Sequence, residues 1–161
     1  MTEINKILLA TDFSQCSRTA LDTAIYLQKM LGCKVEVLHV YNPAVFEMSA
    51  PYAGMPGVGP WLDQHFSGMQ ERGRSALNEL LPQLEDPCRG HFSEGRPGPS
   101  IVEFAREHKV DLIVMGTHGH RGFDHVVTGS VAKHVLRHAP CPVLTVKTGI
   151  AYEASGGNSA S

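Results

Sequence analysis

At 161 residues and 17.5 kDa the chain suits one domain, able to bury about 70% of the surface its unfolded form exposes without help from a metal or disulfide. A formal net charge of -2 with no run of like charge offers no basic field, so nucleic acid and anionic membrane are not expected partners. The longest apolar stretches are strand-sized and Met1 to Lys6 lacks the form of a signal peptide, so a cytoplasmic protein is expected.

Ile4 to Ala10 is a β-branched and leucine run ending in Thr11-Asp12 and reads as a first strand buried on both faces. Ser14 is placed to cap the helix that follows, whose positions Ala20, Leu21, Ala24, Ile25, Gln28 and Leu31 keep helical spacing up to a stop at Gly32. Lys34 to Tyr41 is a second strand, which completes a β-α-β unit. Asn42 to Pro60 holds four prolines, three glycines and no period, and reads as a long loop, either a lid over a ligand or a disordered segment. Apolar residues return from Trp61 to Leu84 at helical spacing, with weak points at Gly68 and Gly73.

Arg89 to Glu94 is a poor strand by propensity, assigned because the alternation of elements demands one. Gly95 to Pro99 turns the chain, Pro99 suits a helix start, and Ile101, Val102, Ala105 and His108 form a helical face. Val110 to Met115 is the fourth strand, and a last helix carries Val131, Ala132, Val135 and Leu136 on one face. Pro140-Cys141-Pro142 opens a fifth strand, Val143 to Lys147, and prolines so near a strand point to a sheet edge. Residues 1–148 thus form one domain, and the small, polar tail 149–161 is expected to be disordered. The fold class is α/β: an open, doubly wound, five-stranded parallel sheet with helices on both faces, Rossmann-like.

The stretch between the fourth strand and the last helix, M-G-T-H-G-H-R-G-F-D-H-V-V-T-G-S from Met115 to Ser130, carries the chemistry. Gly116 and Gly119 let backbone N–H groups turn toward a ligand, and Gly129-Ser130 opens a helix whose unpaired N–H groups and positive dipole end favour an anion. Glycines between strand and helix also serve simply to turn the chain, and neither the P-loop pattern nor G-x-G-x-x-G is present. The spacing itself, a Gly, two residues, a Gly, nine residues and then Gly-Ser, resembles the nucleotide-binding signature of the universal stress protein family. The opening Lys6-Ile7-Leu8-Leu9-Ala10-Thr11-Asp12-Phe13-Ser14 and the closing Arg137-His138-Ala139-Pro140-Cys141-Pro142-Val143 are similar to that family as well, so the resemblance spans residues 3 to 147.

The resemblance implies strand order 3-2-1-4-5, which makes strands one and four neighbours where the order reverses and brings the Thr11-Asp12 and Gly116 loops to one ligand. It also implies that Asp12 lies against the nucleoside and that the Val40 main chain reads the adenine edge. By local sequence alone, the Asp12 carboxylate can equally cap the backbone and the Val40 side chain can be plain core. The Ser130 hydroxyl suits either a helix cap or, with the N–H groups of Ser130, Val131 and Ala132, a phosphate contact. His118 and Arg121 bring cationic or donor groups to the loop, although an exposed arginine there is more commonly solvated. The expected binding set is Ala10, Thr11, Asp12, Val40, Met115, Gly116, His118, Gly119, Arg121, Gly129, Ser130, Val131 and Ala132.

Nine histidines raise a metal reading, since His118, His120 and His125 crowd one loop and His134 with His138 has i, i+4 spacing. No acidic or thiol set completes a site, and Cys16, Cys33, Cys88 and Cys141 are scattered without C-x-x-C, so no protein-only metal site is expected and the thiols are expected reduced. Mg2+ or Mn2+ enters only as an ion carried on the phosphates. The expected function is an ATP-binding (or ADP- or AMP-binding) stress-response module. The resemblance adds a homodimer along the Val143 to Lys147 edge. A slow ATPase or phosphotransferase is the enzymatic alternative, although no P-loop lysine or paired carboxylates support it. A nucleotide-free adaptor is the third.

Overall fold

The computed structural model describes residues 3–43, 55–56, 58–117 and 129–148, apart from the side chains of 61–63. In chain order the elements are β1 Lys6–Ala10, α1 Gln15–Leu31, β2 Lys34–Tyr41, α2 Val58–Leu80 with a 3-10 turn at Leu81–Gln83, β3 Cys88–Glu94, α3 Pro97–Glu107, β4 Leu112–Gly116, α4 Ser130–His138 and β5 Val143–Val146. The five strands are parallel, in the order β3-β2-β1-β4-β5. Both faces are covered. Ile7 and Leu9 of β1 join Val35, Val37 and Val114 under α1 and α2, whereas Leu8 and Ala10 join Leu38, Ile113 and Met115 under α3 and α4. This is why β1 and β4 read as near-continuous apolar runs instead of alternating ones.

The limits of α1 are those the sequence dictates. Ser14 accepts the Ser17 N–H at 3.3 Å, and Gly32 closes the helix at φ 63 with its N–H on the Gln28 carbonyl, 2.8 Å away. Ala20, Leu21 and Ala24 are buried, but Leu31 is 47% exposed. Gln28 sits on the buried face because it is satisfied there: its Nε2 donates to the Glu85 carbonyl at 2.6 Å and its Oε1 accepts the Glu85 N–H at 3.0 Å. One side chain thus replaces both hydrogen bonds of a peptide unit in the turn before β3.

Several boundaries differ from those read in the sequence, each for a physical reason. Helix α2 begins at Val58, inside the stretch read as loop, with Pro60 in a first turn where its missing N–H is not required. It runs unbroken through Gly68 and Gly73. Gly73 serves a close approach, for a Cβ there would stand 2.9 Å from Cε2 of Phe92. The helix ends at Leu80, short of Leu84. β3 starts one residue early, at Cys88, and holds despite poor propensity because β2 offers partners in register from Val35 to Tyr41. α3 starts at Pro97 instead of Pro99. β1 starts at Lys6 rather than Ile4, β4 is Leu112–Gly116 rather than Val110 to Met115, and β5 ends at Val146. Leu136 of α4 is 50% exposed, off the buried face assigned to it. Residues 44–54 and the tail 149–161 lie outside the described residues. No helix among the described residues is long and apolar enough to cross a membrane.

Removing the Gln28 amide while keeping its bulk takes away both partners of the part-buried Glu85 carbonyl and N–H. Gln28→Leu is expected to lower the unfolding free energy by about 1–3 kcal/mol, read as a reduced urea midpoint at unchanged m-value.

Candidate functional site

The sheet reverses at β1, whose last residue, Ala10, is in register with Leu38 on one side and Met115 on the other. Past Ala10 the chain leaves the sheet to begin α1, and the carboxyl ends of β1, β2 and β4 stand side by side at the reversal, the place where doubly wound sheets take their ligands. Thr11, only 7% exposed, holds the last rung, its N–H donating to the Leu38 carbonyl at 3.0 Å. The following turn is tightly built. Asp12 Oδ1 accepts the Ser14 N–H at 3.0 Å and a hydrogen bond from Ser17 Oγ. Phe13 between them adopts φ 62, a left-handed conformation uncommon outside glycine. Asp12 therefore caps the backbone of this turn, just past the end of β1.

On the β4 side, Gly116 is required by packing. A Cβ there would stand 2.9 Å from Cys16 Sγ and 3.0 Å from the Cys16 backbone carbon, so only glycine lets the first turn of α1 close against the end of β4. Cys16 donates its thiol proton to the Val146 carbonyl at 3.1 Å, which also accepts the Thr117 N–H at 2.9 Å. The Thr117 carbonyl in turn accepts the Gly129 N–H at 2.7 Å. That bond sets the start of α4 directly beside the end of β4.

Gly129, not Ser130, is the cap residue of α4, and no side chain caps the helix. The first helical bond runs from Lys133 N–H to the Gly129 carbonyl at 2.9 Å, so the N–H groups of Ser130, Val131 and Ala132 precede it and belong to the anion-favouring end. Ser130 is exposed and Ala132 buried. The Val40 side chain packs on the core beneath α3 and α4, as its plain-core reading had it. The structure thus gathers Ala10, Thr11, Asp12, Val40, Met115, Gly116 and Gly129 to Ala132 at one end of the sheet. His118, Gly119 and Arg121 lie outside the described residues.

Three participants were not picked out from the sequence: Cys16, Ser17 and Thr117. The Ser14-x-x-Ser17 spacing was a visible sign of a capped turn; the others take their roles from packing alone. Histidines elsewhere are engaged structurally. His91 meets Glu36 at 2.6 Å and stacks edge-on with Phe104, and the His134 and His138 rings stack at 4.3 Å. Among the described residues no group of three or more His, Cys, Asp or Glu is placed to hold a metal. Burial raises the thiol pKa of Cys33, Cys88 and Cys141, which keeps them in the unreactive thiol form.

Residues 3–147 match the universal stress protein family. A universal stress protein of Methanocaldococcus jannaschii is 36% identical over 145 residues, spanning 88% of this chain and 81% of that protein. Among solved structures, the chain is similar to the universal stress protein UspA from Lactobacillus plantarum, with TM-score 0.69 and 22% identity over 91% of this chain and 99% of that one. Two further structures share the fold. One is a universal stress protein in complex with cAMP, TM-score 0.61 and 22% identity over 92% and 100% of the two chains. The other is a family protein from Arabidopsis thaliana with AMP bound, TM-score 0.53 and 18% identity over 94% and 97%.

Because the Cys16 backbone carbon as well as its sulfur faces Gly116, Gly116→Ala forces α1 and β4 apart. The expected cost is about 1–3 kcal/mol, measured by chemical denaturation, and Cys16→Ala relieves only part of it since the Cys16 main chain remains.

Proposed function

Since the chain belongs to the universal stress protein family, we propose that it binds an adenine mononucleotide, ATP or its products ADP and AMP, in the crevice at the carboxyl ends of β1, β2 and β4. The phosphates lie against the N–H groups at the start of α4, Gly129 to Ala132, and along the loop from Met115 through Gly116 to Gly119, where His118 and Arg121 add donors. Asp12, with Ala10 and Thr11 behind it, meets the ribose, and the Val40 main chain meets adenine. Mg2+ or Mn2+ travels on the phosphates, held by phosphate oxygens and water.

The observation that carries this reading is the contact of Gly116 with Cys16 at the foot of α1, together with the bond from Gly129 to Thr117. These bring the ends of β1 and β4 and the start of α4 together, so one ligand can touch all three. The complexes of two family structures with cAMP and with AMP support the same ligand class. The output of binding in a cytoplasmic stress-response module is a shift between conformations or partner surfaces, driven by different nucleotide affinity in the two states. A second copy joined along β5 fits this reading, since β5 is an edge strand on which Leu144 is 38% exposed.

Denaturing the purified protein is expected to release adenine nucleotide in stoichiometric amount, identified by mass. Gly129 has φ -66 and ψ 161, angles open to any residue, so Gly129→Val tests the ligand role without backbone strain. It is expected to abolish retention at an unchanged circular dichroism spectrum. A purified protein that releases no nucleotide and gives no heat on titration with millimolar ATP overturns the proposal.

A further inference from the structure

The β1–β2 ladder ends irregularly. Even-numbered residues of β2 turn their N–H and C=O toward β1: Lys34 N–H donates to the Asn5 carbonyl at 2.9 Å, and the Leu38 carbonyl accepts from Thr11 at 3.0 Å. Odd-numbered ones face β3, as the Tyr41 carbonyl does in accepting the Gly95 N–H at 2.8 Å. By this register the Val40 N–H is next in line on the β1 side, and its acceptor in a continuing ladder is the Thr11 carbonyl. That carbonyl is engaged instead by the His39 ring, whose Nδ1 lies 2.9 Å away. A carbonyl oxygen only accepts, so Nδ1 carries the proton. Among the described residues nothing takes the Val40 N–H in its place.

The ring is held in this position from three sides. Phe13, at the start of α1, lies 4.5 Å away between centroids and Phe92 of β3 lies 5.6 Å away. On the α2 side, a Cβ on Gly73 would stand 3.3 Å from His39 Cδ2 and Nε2. The side chain has little room to turn off the Thr11 carbonyl.

We infer that His39 is a positioning residue for base recognition: by occupying the Thr11 carbonyl it keeps the adjacent Val40 N–H and C=O out of the sheet ladder and available to the nucleobase. The inference rests on the reading of the crevice as an adenine-nucleotide site. A donor and an acceptor on one residue complement the N1 acceptor and the exocyclic amino donor of adenine, and hypoxanthine reverses both roles. Without the ring, Thr11 becomes an acceptor for Val40, the ladder lengthens by one rung, and the edge that tells the two bases apart is lost.

The test uses amide hydrogen exchange on the free protein and calorimetry with AMP and IMP. In the free wild type, Val40 is expected to exchange at least tenfold faster than Leu38 and to become protected when AMP is added. His39→Phe keeps a ring between Phe13 and Phe92 but removes the donor. It is expected to protect Val40 in the free protein, weaken AMP binding about tenfold and narrow the preference for AMP over IMP by a similar factor, the effect of one hydrogen bond. His39→Asn, which returns an N–H near the Nδ1 position, is expected to restore both. Equal protection of Val40 and Leu38 in the free wild type overturns the inference without any variant, as does a His39→Phe protein with wild-type AMP affinity and exchange. A wild type that binds neither nucleotide sinks the adenine reading separately, and fast exchange of Val40 there still establishes the interrupted ladder.

Discussion

The organising constraint is the loss of ladder partners where β1 ends between two longer-reaching neighbours. Ala10 is the last residue of β1 and is paired on both sides; beyond it the peptide groups of β2 and β4 that had faced β1 must find other acceptors and donors. A buried peptide group left unpaired costs about 1–3 kcal/mol, so each such group shapes the loops around it. Thr11 N–H still reaches Leu38 as a last rung toward β2, Thr117 N–H extends the ladder toward β5 at Val146, and the Thr117 carbonyl takes the Gly129 N–H. Three backbone bonds thus fix the strand ends around the proposed site.

Helix packing then determines how rigidly those strand ends are held. α1 approaches β4 so closely that Cys16 lies over Gly116, and its thiol shares the Val146 carbonyl with Thr117. At the same helix end, the Asp12, Ser14 and Ser17 hydrogen bonds hold Phe13 in a left-handed conformation. Such strain persists only where surrounding structure over-determines it, and here both neighbouring turns are bonded. The Phe13 ring is thereby delivered to His39, so the cap of one helix and the end of the neighbouring strand form one unit.

Elements whose burial is two-sided were legible in the sequence. β1 and β4 show uninterrupted apolar runs, β2 is mostly apolar around Glu36 and His39, and α1 declares both ends with Ser14 and Gly32. β3 was legible only as a requirement of the alternation, since Cys88, Arg89, Gly90 and His91 have little strand propensity and owe their conformation to pairing with β2. The start of α2 was hidden by glycine and proline, which are as compatible with a first helical turn as with a loop. In the site, the glycine spacing and Asp12 could be read directly. The work of Gly116 could not, because the reason for it, Cys16, lies a hundred residues away in the chain.

A site made largely of peptide groups has a further consequence for what sequence can record. Backbone donors place no demand on the side chain of the residue that carries them, so the Val40 position advertises only the apolar contact its side chain makes under α3 and α4. The demand moves to residues that keep the backbone open: a glycine that admits a helix, as at Gly116, and a ring that occupies a competing carbonyl, as at His39. Gly116 reads as a loop glycine and His39 as a strand residue of no special type. Their function resides in what they prevent, a steric barrier in one case and an additional ladder rung in the other. On the proposed reading, substitutions that alter recognition fall as readily on such neighbours as on the groups that would touch the ligand.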